Sequence, residues 1–266
     1  MRCLLFLFFS LSSLSSFAQK WSFVAGPGLS QYLGDVTDQQ IGNSRLALNL
    51  EGWYWLNDHF QLKSGVSFYG IRGQDADTTR LRSFKSGNFE FYSSAMYSFK
   101  RGYFTPFAYA GVGASTVSPQ GKSRLGYWDL RDVQPEGQKV PGLVVMIPFG
   151  VGLEYEITPV ISVVFDLAFR YALSDQLDAM GQEIVSVEAL SPLAINYYES
   201  LSEGMTRRVE ENNVLPGGNP SNNDWYSLFL IKLKYTPSSA IFGCINPYKY
   251  DNPGRRDRRK IKTIPH

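Results

Sequence analysis

Histidine, cysteine and long apolar runs are what this sequence has least of. Its 266 residues include two histidines, His59 and His266, and two cysteines, Cys3 and Cys244. That supply is too thin for a histidine-based acid–base centre or a His/Cys zinc site, so no catalytic, cofactor-binding or metal-binding set is assigned. Beyond the first residues, the most apolar segments are Leu143–Ile157 and Val160–Leu173, and they carry Glu154, Glu156, Asp166 and Arg170. Neither offers the roughly 20 consecutive apolar residues of a membrane-spanning helix. Net charge is also scarce, at +2, which argues against a general nucleic-acid binder. Aromatic side chains (15%) and 24 glycines are abundant instead, a composition of strand formers with frequent close approaches.

The N-terminus indicates export. Met1-Arg2 opens with a positive charge, Leu4 to Leu11 are apolar apart from Ser10, and Ser16-Phe17-Ala18 forms a small-x-small site before Gln19. Residues 1–18 are therefore expected to be a secretory signal peptide. Cys3 leaves with it, and Cys244 becomes the single thiol of the mature chain.

From there the hydrophobic period is two. Leu143, Val145, Ile147, Phe149, Val151, Leu153 and Tyr155 share one face, opposite small and charged residues that include Gly150, Gly152, Glu154 and Glu156. Leu46, Leu48 and Leu50 oppose Asn49 and Glu51. Phe60, Leu62, Val66 and Phe68 oppose Gln61, Lys63 and Ser67. Phe89 and Phe91 oppose Asn88 and Glu90. Ile161, Val163, Phe165, Leu167 and Phe169 oppose Asp166 and Arg170, and Phe229, Ile231 and Leu233 oppose Lys232 and Lys234. With Trp21–Leu33 and Tyr103–Ser115, this predicts eight strands of about 11 to 15 residues, long enough for a tilted membrane crossing.

The connections are expected to alternate. Asn57-Asp58, Lys100-Arg101-Gly102 and Thr158-Pro159 are tight, whereas Gly34–Asn43, Arg72–Ser86, Thr116–Gly142 and Ser174–Asn222 are long. A soluble β-sandwich would share the period of two but has no reason for that alternation. The fold expected is all-β: an eight-stranded antiparallel transmembrane β-barrel over residues 19–236 in the outer membrane, with short periplasmic turns, long extracellular loops and both termini in the periplasm. Trp21, Trp53, Trp225 and Tyr235 are expected in its interfacial aromatic girdles.

An eight-stranded barrel is just wide enough to be filled by side chains. Its interior would hold Glu51, Glu90, Glu154, Glu156 and Asp166 with Lys63, Arg170, Lys232 and Lys234, paired with one another, as a plug and not a conduit. Catalysis is not expected. His59 falls beside a periplasmic turn, and Asp175 and Asp178 at the far rim read as loop structure. The Gly26-x-Gly28, Gly111-x-Gly113 and Gly150-x-Gly152 pairs lack the strand–helix setting of a phosphate loop and read as inward glycines beside aromatic rings.

Six segments together resemble a family. They are Gly28-Leu29-Ser30-Gln31-Tyr32-Leu33-Gly34-Asp35; Arg80 to Ser86 leading into Phe89-Glu90; Thr105 to Gly113; Ile147-Pro148-Phe149-Gly150-Val151-Gly152; Arg170 followed by Asp175-Gln176-Leu177-Asp178; and Asn223-Asp224-Trp225-Tyr226. In order and along nearly the whole barrel, they are similar to the small PorG-like outer-membrane barrels of Bacteroidetes, associated with the type IX secretion system. The resemblance implies a non-enzymatic accessory or anchor of protein secretion that contacts a periplasmic ring of the lipoprotein PorK and its partner PorN. Gln176 and Ala179-Met180 depart from the family's more acidic run, and the segment 174–222 is long for it, with a short helix expected over Glu188–Leu201. A surface-binding or adhesion barrel using its long loops is the alternative function, and an outer-membrane hydrolase a third.

Residues 237–266 are expected to form a basic periplasmic tail. Lys249, Arg255, Arg256, Arg258, Arg259, Lys260 and Lys262 face only Asp251 and Asp257 in its last part. A solvated disordered tail and an electrostatic docking arm for an acidic partner both fit this pattern. Cys244, between barrel and arm, is the candidate for an intermolecular disulfide in an oxidising periplasm.

Overall fold

The computed structural model describes residues 21–33, 43–74, 83–99, 102–174, 177, 179, 184–211, 214–216 and 223–237. The signal segment, Cys244, the basic tail and Asp175, Gln176 and Asp178 lie outside the described residues.

Eight long strands follow the period-two segments: β1 (Trp21–Tyr32), β2 (Arg45–Trp55), β3 (Phe60–Gln74), β4 (Ser83–Ser98), β5 (Phe104–Thr116), β8 (Leu143–Thr158), β9 (Ile161–Ala172) and β12 (Trp225–Tyr235). Each pairs antiparallel with its neighbour in sequence among these eight, β1 pairs with β12, and β3 pairs with β4, so the sheet closes on itself. Closure leaves no open edge in the wall. The tight connections are 56–59, 99–103 and 159–160. In the last, Thr158 Oγ1 accepts from the amides of Val160 (3.4 Å) and Ile161 (3.0 Å).

Around the barrel, outward positions are apolar and exposed, among them Leu48, Leu50, Phe68, Phe91, Val112, Val151 and Phe229. Inward positions are polar or aromatic and buried. This is the inverse of a soluble core, and it is what a wall facing hydrocarbon requires, because a closed barrel satisfies every backbone group without water. Among the described residues no helix is long and apolar enough to cross a membrane.

Glycines make room for rings inside. Phe107 lies opposite Gly152 and Tyr109 opposite Gly150 across the β5–β8 pair. A Cβ at Gly152 would stand 2.2 Å from the Phe107 ring, and one at Gly150 would stand 2.7 Å from the Tyr109 hydroxyl. The Gly-x-Gly segment is thus a seat for aromatic side chains.

Two expectations are corrected. The long third connection does not run from Arg72 to Ser86: β3 continues to Gln74 and β4 starts at Ser83, paired residue for residue from Ser86 with Ile71 to Ser83 with Gln74. Apolar Ile71 and Phe84 point inward there, 1% exposed each, so the alternation persists above the apolar belt with its chemistry reversed. Trp53 is not a girdle residue. It shares the parity of Asn49 and Glu51, is fully buried inside the barrel, and its indole N–H donates to Glu51 Oε2 at 2.6 Å. Trp225 and Tyr235 do face outward, and Trp21 packs at the wall against Tyr54, the rings tilted at 51° with centres 5.1 Å apart.

The two longest connections are folded. Between β5 and β8, the hairpin β6 (Pro119–Ser123) and β7 (Gly126–Asp129) is followed by the single-turn helix α1 (Leu130–Val133). β6 pairs with the upper end of β4, so the hairpin extends the barrel wall. Between β9 and β12 come the short strand pair β10 (Ile184–Val185) and β11 (Leu215–Pro216), with α2 (Pro192–Leu201) and α3 (Glu203–Glu210) between them. α2 starts at Pro192, later than the Glu188 expected, because Ser191 caps it by accepting from the Ala194 amide at 3.1 Å, with proline in the first turn. Val187–Ala189 forms a 3-10 turn instead.

Candidate functional site

The charged residues of the interior come from facing walls and meet on the barrel axis. Lys63 on β3 and Lys232 on β12 both donate to Asp166 Oδ2 on β9, each at 2.7 Å. Both also approach Glu51 Oε1 on β2, at 3.4 and 2.9 Å. All four side chains are fully buried. Two cations and two anions balance, and the remaining oxygen valences are filled by aromatic donors. Tyr92 and Trp53 donate to Glu51, and Tyr109 donates to Asp166 Oδ1 at 3.0 Å. The Lys63 ammonium lies 3.6 Å from the centre of the Tyr109 ring.

A second layer sits toward the long loops. Arg170 Nε donates to Glu90 Oε1 at 2.6 Å, and its guanidinium lies over the Tyr92 ring at 4.8 Å. Tyr226 reaches Glu90 Oε2 at 3.4 Å and stacks on Tyr69, with centroids 4.6 Å apart. At the other end, Lys234 Nζ contacts both oxygens of Glu154 at 2.8 Å, beside Trp53 and Trp55. Glu156 is half-buried at the end of β8. Buried charges hold only when paired and fully hydrogen-bonded, and removing one partner leaves the other stranded in a low dielectric. Chemically this arrangement fills and rigidifies; three stacked layers of ion pairs and rings occupy the width of the barrel.

No charge cluster suited to metal binding occurs among the described residues. His59 lies exposed on the β2–β3 turn, stacked on Tyr97 with its Nδ1 2.9 Å from the Ser98 carbonyl.

Sequence reasoning missed the cap over the loop end. Contacts join α2 to the β6–β7 hairpin and the segment after α1: the Arg124 amide donates to the Ser200 carbonyl at 3.0 Å, Trp128 meets Tyr197 edge-on, and the Tyr198 hydroxyl donates to the Pro135 carbonyl at 3.0 Å. Leu130, Val133, Ala194, Leu201, Met205 and Leu215 are buried beneath. Asp224 ties this cap to the barrel mouth, accepting from Tyr32 OH and, at 2.9 Å, from the Leu177 amide. The signals were present. Ser202-Glu203 opens α3 and Arg207-Arg208 closes it, and Ser191-Pro192 opens α2.

No family model matches the chain, and no curated protein matches it. Solved structures do. Neisserial surface protein A is 10% identical, with 82% of this chain and 97% of that chain covered and a TM-score of 0.45. Ail, the attachment invasion locus protein of Yersinia pestis, is 11% identical over 82% and 97%, at 0.41. The N-terminal β-barrel domain of Pseudomonas aeruginosa OprF is 12% identical over 82% and 98%, at 0.39. The outer-membrane enzyme PagL also matches, 12% identical over 81% and 99%, at 0.34. The strand pairing and the apolar outer wall carry the assignment: this chain folds as a closed, eight-stranded antiparallel β-barrel of the outer-membrane kind.

Proposed function

We propose that the protein is a sealed, non-enzymatic outer-membrane barrel that anchors a periplasmic assembly, as an accessory of type IX secretion contacting the PorK/PorN ring. The observation that carries the anchoring role is the filled interior. Lys63, Lys232, Glu51 and Asp166 close the axis with short contacts, so the barrel offers a rigid membrane fixture and no conduit. The secretion role rests on the resemblance of the six segments to PorG-like barrels, and the ring contact on the basic tail, whose charge suits an acidic partner. The termini are assigned to the periplasm because the tight turns lie at that end.

Deletion of residues 238–266 tests this reading. Loss of secreted cargo and of ring proteins in a pull-down, with the barrel still inserted, supports it; unchanged secretion and an unchanged pull-down would overturn it. Cys244 is proposed to form an intermolecular disulfide with that partner. A higher-mass species on non-reducing electrophoresis that disappears in Cys244→Ser is the expected result.

One observation favours a second reading, a surface-binding barrel. The connections after β5 and β9 fold into a cap whose buried residues continue the core of the barrel, more than solvated loops need. Deleting residues 187–211 abolishes binding to a cell-surface ligand under this reading and leaves secretion intact.

A further inference from the structure

On the outer wall, the β3–β4 pair changes character within three rows of paired residues. Phe68 stands opposite Phe89, then Gly70 opposite Gly87, then Arg72 opposite Lys85, all on the outward face. The phenylalanines are 59% and 49% exposed and form the top of the apolar belt. Four residues of strand separate the aromatic row from the cationic one, about 13 Å. The glycine row between them has no side chains, and a Cβ at Gly87 would meet nothing within 4 Å. The result is a notch in the wall, floored by backbone, with rings on the belt side and cations on the loop side.

The cations gather around it. Arg45 packs along the Gly70 side of the notch, its Cβ 3.2 Å from where a Gly70 Cβ would stand. Lys85 pairs across to Gln120 on β6, Lys122 lies two residues further on the same outward face, and the Lys85 ammonium sits 3.4 Å from the centre of the Tyr127 ring. None of these four cations is ion-paired with a described carboxylate. Asp129, in the same row, is held by Arg131 Nη2 at 3.2 Å. The 75–82 connection has Asp75 and Asp77 against Arg80 and Arg82 and is itself neutral. The patch belongs to one side of the barrel: on the far wall, the outward residues near the same end are Leu33, Trp225, Leu173 and Leu143.

We propose that this notch binds the phosphorylated sugar headgroup of an outer-leaflet glycolipid, with its acyl chains running down Phe68, Phe89 and Phe91. Arg72 and Lys85 take the phosphate, Arg45 and Lys122 flank it, and the glycine row admits the sugar against the backbone. An anionic group at the boundary between a cationic rim and a lipid-facing apolar wall satisfies both at once. The inference rests on the outer-membrane reading of the barrel.

The test uses the full mature chain refolded in neutral detergent, with native mass spectrometry counting bound lipid A in its phosphorylated and dephosphorylated forms. Wild type is expected to retain the phosphorylated form preferentially, and R72Q/K85Q to bind it about twentyfold more weakly. Gly87→Leu fills the notch without touching a charge and is expected to lower binding too, which keeps the test alive if the double variant folds poorly. Equal binding by wild type and both variants, or by both lipid forms, would overturn the site, as would a lipid-independent dimer held through this face. Failure of the underlying reading looks different: wild type would then give no unboiled mobility shift on electrophoresis and no insertion into vesicles, and the lipid site would fall with it.

Discussion

The lower wall of the barrel and its upper mouth are made by the same strands under opposite rules. In the belt, Val66 and Phe91 face out while Lys63 and Glu90 face in; two turns of the pleat higher, Arg72 and Lys85 face out while Ile71 and Phe84 face in. The register does not slip between these levels, so every residue keeps its side and only the solvent outside has changed. Hydrocarbon outside leaves polar groups to find one another within; water outside restores the ordinary arrangement, and a conventional core can then grow from the barrel into the cap. One periodicity thus encodes two environments.

The contrast can be broken most forcefully from the belt. Asp166→Ala leaves Lys63 and Lys232 sharing Glu51 alone, and the barrel is expected to lose about 3–5 kcal/mol, read as a lower urea midpoint for tryptophan fluorescence in vesicles. Leu201→Ala attacks the upper core instead. It is expected to cost about 2–3 kcal/mol in hydrogen-exchange protection across residues 192–210 while leaving the barrel's urea midpoint in place. Equal loss in both regions would show that cap and wall unfold as one unit. Asp224→Asn weakens the tie between them, and about 1–2 kcal/mol less protection for the 174–222 connection should appear as faster proteolysis there. The smallest effect belongs to Asp129, which caps α1 by accepting from the Arg131 amide and is held below the usual carboxylate range chiefly by its Arg131 hydrogen bond. Asp129→Ala should cost about 1 kcal/mol or less, confined to 126–134. Because its folded-state pKa is lowered, the contribution is complete above the ordinary carboxylate pKa and fades only as pH falls through the lowered value, which exchange rates measured across acid pH would follow.

The belt was legible in the sequence because alternation of large apolar residues against charges is a strong signal with one physical cause. The outward leucines and phenylalanines of β2, β3, β4, β8, β9 and β12 follow from it, while β1 and β5 were legible only as ranges. Which charges meet was not legible: Lys63 and Asp166 are 103 positions apart, and only barrel closure brings β3 and β9 face to face. Trp53 shows a different limit. Its position near a strand end suggested a girdle, but parity and the Glu51 carboxylate decide, and both place it inside. The upper strands of the third connection were hidden because Arg72, Gly73, Lys85 and Ser86 look like loop composition once the outside is aqueous. The helices of the cap carried ordinary start and stop signals, yet nothing in them announced that residues 63 to 76 positions apart, on two different connections, would share a core.

The ion pairs of the interior link residues 80, 103 and 181 positions apart: Arg170 to Glu90, Asp166 to Lys63, and Lys232 to Glu51. None can form in a growing hairpin. In an unwrapped sheet Lys63 could meet only Glu51 and Lys232 only Asp166, each across neighbouring strands, while Arg170 and Glu90 would stand apart as unpaired charges facing the bilayer. Only the wrapped sheet, closed where β12 meets β1, joins these pairs into one network and brings Arg170 to Glu90. The interior network therefore favours the completed cylinder over each partial one.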